Sequence, residues 1–129
     1  MAAQVYPPGF EEMQYIFTIP GDLVVGDDLT LWLPVGQEVQ AFEALAVIKT
    51  VPTGAAVTIE IEKSSNFGGA WTTVVSSADL QIAAAAQSGV KTGLAVKLLK
   101  NDVLRINIDQ IGSGVAGADL TVGLRVNNG

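Results

Sequence analysis

Ala46-Val47-Ile48-Lys49-Thr50-Val51-Pro52-Thr53-Gly54-Ala55-Ala56-Val57-Thr58-Ile59-Glu60-Ile61-Glu62-Lys63 is the stretch whose reading decides the fold. An apolar run leads into a Pro-Thr-Gly turn, and an alternating strand leaves it. Val57, Ile59 and Ile61 fall on one face, with Thr58, Glu60 and Glu62 on the other. That period of two belongs to a half-buried antiparallel strand. The pattern returns between Ile106 and Val126. The two stretches are read as two hairpins of one β-sandwich. Their second strands also align: Gly54-Ala55-Ala56-Val57-Thr58-Ile59 matches Gly117-Ala118-Asp119-Leu120-Thr121-Val122 in apolar phase. This is either a duplication or the likeness of any two strands after a glycine turn. In both cases the entrance glycine permits a positive φ.

Outward from this stretch, the turn signals are regular. Tyr15, Phe17 and Ile19 alternate before Pro20-Gly21-Asp22, and Leu23 to Val25 is a short apolar piece. Leu29, Leu31 and Leu33 form one face of a strand that carries Trp32 on the other, closed by Pro34-Val35-Gly36. Val39 to Val51 is read as a strand, with Phe42, Ala44, Ala46 and Ile48 in phase. After the Ser64–Ala70 loop comes a strand at Trp71–Val75. Asp79 to Ser88, with its Ala83–Ala86 run, fits either a short helix or a strand and loop. Leu94, Val96 and Leu98 alternate, as do Leu104, Ile106 and Ile108, and Leu120 to Val126 closes the chain. About eight short strands at such spacing predict an all-β, antiparallel two-sheet sandwich. A jelly roll is the first expectation and another Greek-key sandwich the second. The domain is placed at residues 14–129, behind an extended N-terminal arm at 1–13.

The 129 residues suit one domain, and a chain of this length buries roughly two thirds of its unfolded surface. Charged residues make up 16% and apolar ones 49%, so small polar residues or partners must cover the surface. A net charge of −6 argues against nucleic acid and against an anionic membrane as partners. With neither Cys nor His, thiolate chemistry, a Ser-His-Asp triad and the commonest metal ligand are missing. No apolar run approaches the ~20 residues that span a bilayer. The N-terminus lacks the basic region and apolar core of a signal peptide, so synthesis in a host cytoplasm is expected.

The candidate constellations are few. Asp22, Asp27 and Asp28 cluster, but acids beside glycine are ordinary turn formers, and no metal is expected there. Glu60 and Glu62 read as a solvated outer face rather than an acid–base pair. Gly68-Gly69 and Gly112-Ser113-Gly114 lack the lysine and helix of a phosphate loop. No catalytic residue and no cofactor is assigned. Two groups remain as partner-binding candidates. Tyr6, Pro7, Pro8 and Phe10 would anchor a docking arm, the prolines lowering the entropy lost on ordering. Trp32 and Trp71, with Tyr15, would serve an interface or stack on a glycan.

Three motifs in order resemble a module common among tailed-bacteriophage virion proteins. They are Phe17-Thr18-Ile19-Pro20-Gly21-Asp22-Leu23-Val24-Val25-Gly26, then Val51-Pro52-Thr53-Gly54-Ala55, and then Ile106–Ser113 with Ala116–Val122. The resemblance spans roughly residues 14 to 126 and takes in head-fibre, minor tail and capsid decoration (cement) proteins. It implies a jelly-roll-like homotrimer on the virion. In a decoration protein, the trimer clamps neighbouring major capsid protein subunits on the outer surface of the head, near local three-fold positions. No shaft accompanies the module here, which favours decoration. The alternative is a tail-tip or head-fibre module that binds host-surface glycan.

Overall fold

The computed structural model describes residues 12–128. Among these there is no helix, and nine strands build two sheets. They are β1 (Glu12–Asp22), β2 (Leu33–Pro34), β3 (Val39–Thr50), β4 (Val57–Ser64), β5 (Thr72–Ile82), β6 (Ser88–Lys91), β7 (Val96–Leu98), β8 (Val103–Gln110) and β9 (Ala118–Asn127). The front sheet runs β1-β9-β3-β6, with β7 also paired to β3; the back sheet runs β2-β8-β4-β5. Every pairing is antiparallel. β6 and β7 lie on one edge of β3, at Ala44–Val47 and Val39–Ala41, and act as two halves of one strand. With those halves merged, the order is that of an eight-strand jelly roll.

The core lies between the sheets, where the alternation placed it. Val57, Ile59 and Ile61 of β4 face Ala44, Ala46 and Ile48 of β3, and Leu80, Leu104, Ile106, Ile108, Leu120, Val122 and Leu124 complete a dry interior. β-Branched residues dominate it, as a pleated surface favours.

The stretch from Ala46 to Lys63 is not a hairpin. β3 belongs to the front sheet and β4 to the back, so residues 51–56 form an arch between sheets. The second presumed hairpin is likewise an arch, from β8 in the back to β9 in front. β3 pairs with β9 and β4 with β8, so the arches stack side by side. Thr53 joins them: its N–H donates to Val115 O at 3.0 Å, its carbonyl accepts from Gly114 N at 2.9 Å, and its Oγ1 accepts from Val115 N at 2.7 Å. The β5–β6 crossover joins the same knot through Ala85 N–H to Pro52 O at 2.7 Å. The echo of the two halves holds in its backbone: Gly54 and Gly117 both take positive φ, at 82° and 103°.

Other expectations are corrected in detail. Leu29 to Leu33 is not a strand; only Leu33 and Pro34 pair, and the preceding loop bulges out after Gly26 bridges Ile108. Asp28 takes a left-handed φ of 56° there, and Leu31 is left 86% exposed. Phe42 is out of phase because a bulge between Ala41 and Glu43 shifts the core face from Val39 and Ala41 to Ala44, Ala46 and Ile48. The freed Phe42 carbonyl accepts from Leu94 N at 3.0 Å, where β6 and β7 part. The polyalanine run makes a turn, Ala86 N–H to Ala83 O, with Ala85 at φ 66°.

Candidate functional site

The outer face of the back sheet carries a connected polar and aromatic cluster. Five segments supply it: the bulged loop before β2, the β4–β5 loop, and outward positions of β4, β5 and β8. Arg105 lies at its centre. Register sets Arg105 against Glu62 and Asn107 against Glu60. Arg105 Nε and Nη2 reach Glu62 Oε1 at 2.9 and 2.8 Å, and its Nη1 reaches Asp28 Oδ2 at 3.0 Å. Its guanidinium carbon stands 4.1 Å over the Trp71 ring. Asn107 Nδ2 donates to Glu62 Oε1 at 2.5 Å, and Thr73 Oγ1 donates to Glu60 Oε2 at 2.8 Å.

The two tryptophans are brought together, with centroids 5.1 Å apart and planes at 73°, the edge-to-face arrangement that ring quadrupoles favour. Trp32 Nε1 donates to Asp28 Oδ1 at 2.9 Å. Its six-membered ring lies on Gly68, where a Cβ would come within 2.6 Å of Cη2. The ring is therefore held at Asp28, Gly68 and Trp71, yet remains 43% exposed. Beside Gly68, Phe67 is 71% exposed at φ 56°. Its loop is braced by buried Ser64, whose Oγ accepts from Gly68 N at 2.8 Å, and by Asn66 Oδ1, which accepts from Ala70 N at 2.9 Å.

The electrostatics follow from these contacts. Asp28 is held below the ordinary carboxylate value, first by the Trp32 indole N–H and then by Arg105 through a hydrogen bond and its charge. Partial burial works against the charge of Arg105, but the hydrogen bonds and charges of Glu62 and Asp28 outweigh it and raise its pKa. A carboxylate with a lowered folded pKa stabilises the fold above its unfolded value, about 3.9, and loses that stabilisation as pH falls through the folded value. Tryptophan emission should therefore shift below about pH 3.9, and Asp28→Asn should lack that step. Identical profiles in both proteins would remove Asp28 as the tether of Trp32.

The sequence-derived candidates are distributed as follows. Trp32 and Trp71 meet, but Tyr15 does not join them; it packs against the core of the front sheet and its hydroxyl accepts from Gly36 N at 3.4 Å. Glu62 departs from the expected solvated face, while Glu60 is half-buried and accepts an exposed hydrogen bond from Thr73. The Glu62 side chain is only 14% exposed and engaged with Arg105 and Asn107. The three aspartates do not converge: Asp28 turns to Trp32 and Arg105, and no metal-binding group of three such residues occurs among the described residues. Tyr6, Pro7, Pro8 and Phe10 lie outside the described residues. Arg105, Asn107 and Phe67 do not stand out from the sequence. The available signal for the first two is their outward phase on a strand whose other face is apolar.

No family model matches the chain, and no curated protein matches it. Among solved structures, it is similar to a chain of the cyanophage Pam1 capsid asymmetric unit, at 19% identity and a TM-score of 0.57. The match covers 100% of this chain and 93% of that one, so the two share a fold and are of comparable length.

Proposed function

We propose that this chain is a structural virion protein without catalytic activity. In this reading it is a decoration (cement) protein that binds the outer surface of a tailed-phage head as a homotrimer. The observation that carries it is the likeness in fold to a component of a phage capsid asymmetric unit.

Two surface features support association. Ile16, Leu45 and Val90 form one row across the outer front sheet, bridged by Gly123, with exposed Val47 in the next row. β1 is also a sheet edge whose residues from Met13 to Gly21 carry no charge. Uncharged edges are rarely left open in soluble proteins. A groove of about 230 Å³ runs beside that edge, lined by Ile16, Phe17, Thr18, Thr30, Leu31 and Leu33. A neighbouring copy or a shell subunit would cover both. Each bridging trimer would lend its binding free energy to the shell it spans.

The test is a particle reconstruction with and without this chain. Density for a trimeric jelly roll on the head is expected, and its absence from the head lattice would overturn the reading. Deleting residues 1–11, the part of the arm that precedes β1, should leave the unfolding midpoint of the sandwich nearly unchanged and weaken particle binding by at least about tenfold, the loss of two modest aromatic anchors. Unchanged particle affinity would remove the arm from the binding mechanism.

A further inference from the structure

The aromatic corner at Trp32 and Phe67 is built as a surface to be used. Burying apolar area stabilises a fold by roughly 25 cal/mol per Å², so large exposed rings run against the general trend. Here the fold holds them outward. Trp32 is fixed at three points and remains 43% exposed. Phe67 occupies a left-handed φ of 56°, a conformation that costs a non-glycine residue energy, while Ser64 and Asn66 brace its loop. A ring already immobilised loses little entropy when a ligand lands on it.

The charge around these rings is one-sided. Asp28, Glu60 and Glu62 stand against one cation of the cluster, Arg105. The carboxylates and the negative faces of the rings attract the same kind of group, an organic cation. The chain displays this chemistry once within itself: Arg105 lies 4.1 Å over Trp71 while bonded to Asp28 and Glu62. Trp32 offers further ring surface beside the half-exposed Asp28 carboxylate, whose side chain is 46% accessible, and Phe67 adjoins Gly68, on which the Trp32 ring lies.

We infer that Trp32, Phe67 and Asp28 form a docking site for an arginine side chain carried by a basic segment of a partner protein. Guanidinium fits better than ammonium because its plane stacks on an aromatic face while its edge reaches a carboxylate. The site disfavours polyanions such as nucleic acid. Arginine docking rests on local chemistry and does not depend on the capsid reading, so either can fail alone.

The test uses the purified full chain with acetyl-tri-arginine amide, and with acetyl-tri-glutamate amide and maltotriose as comparisons. Indole N–H shifts and tryptophan emission are followed. Tri-arginine should bind saturably in the millimolar range and weaken as salt rises. Trp32→Ala should reduce its affinity by about fivefold or more, the effect of losing one cation–π contact. Phe67→Asn, a residue that tolerates left-handed φ, gives a second variant whose fold is not at risk and should also bind less tightly. Three results would overturn the inference: no saturable shift with tri-arginine, equal affinity in both folded variants, or maltotriose producing the indole shifts that tri-arginine does not.

Discussion

A Gly112→Ala chain should lose about 3 kcal/mol of stability or more, at the upper end of what overpacking costs. The added Cβ would lie 1.9 Å from the carbonyl oxygen of Val115 and 3.0 Å from both Pro52 Cβ and Thr53 N. The nearest of these is backbone, so no side-chain rotation relieves the clash. Val115 O accepts the Thr53 N–H, and Gly112 N donates to Ala116 O, so any shift pulls apart the knot that joins the arches. Gly21→Ala is the matched comparison. Gly21 has φ 82° but nothing within 4 Å of an added methyl, so only the left-handed penalty of about 1–2 kcal/mol applies. Urea unfolding of both variants measures the difference. A loss at Gly112 no larger than at Gly21 would mean that the arches yield.

Arg105→Ala should cost about 3 kcal/mol, the lower end of the range for breaking a buried ion pair by removing one partner. The Arg105 and Glu62 side chains are 13% and 14% exposed, so solvent screens them only partly. Truncation strips Glu62 of its cation, Asp28 of its ion pair and Trp71 of its stacked guanidinium. Against a total stability of about 5–15 kcal/mol, the lower melting temperature should be plain. Arg105→Lys keeps the charge but not the planar fork, and should fall between the two. A double-mutant cycle with Glu62→Gln isolates the pair; coupling near zero would relegate Arg105 to packing alone.

How much of this was legible depended on whether the determinant was local. Alternation at Val57, Ile59 and Ile61, and at Leu120, Val122 and Leu124, identifies a core face because period two is a property of the strand itself. Which sheet the next strand joins is not local. A Pro-Thr-Gly turn suits a hairpin or an arch, and the choice is made by β9 pairing with β3 from far along the chain. Glu62 illustrates the same limit at the site. Its alternation correctly turns it away from the core, but whether that face is wet depends on Arg105, 43 residues on. Phe42 falls outside the expected phase because one extra residue in a bulge reverses every later phase. Trp32 and Trp71 stand out in the sequence as large amphipathic rings, while their meeting rests on a loop that bulges instead of pairing.

The front sheet places β9 between β1 and β3, so the last of the nine strands to be translated is the one that joins the first to the third. Gln14 waits for Arg125, and Ala46 waits for Val122. While the ribosome is still short of β9, β1 has no partner among the strands already made, and the core lacks Leu120, Val122 and Leu124. Such long closures make folding slow, because loop-closure entropy must be met before the contacts form. The topology thereby acts as a length check on its own synthesis, because a chain broken off before β9 has neither a paired β1 nor a closed core.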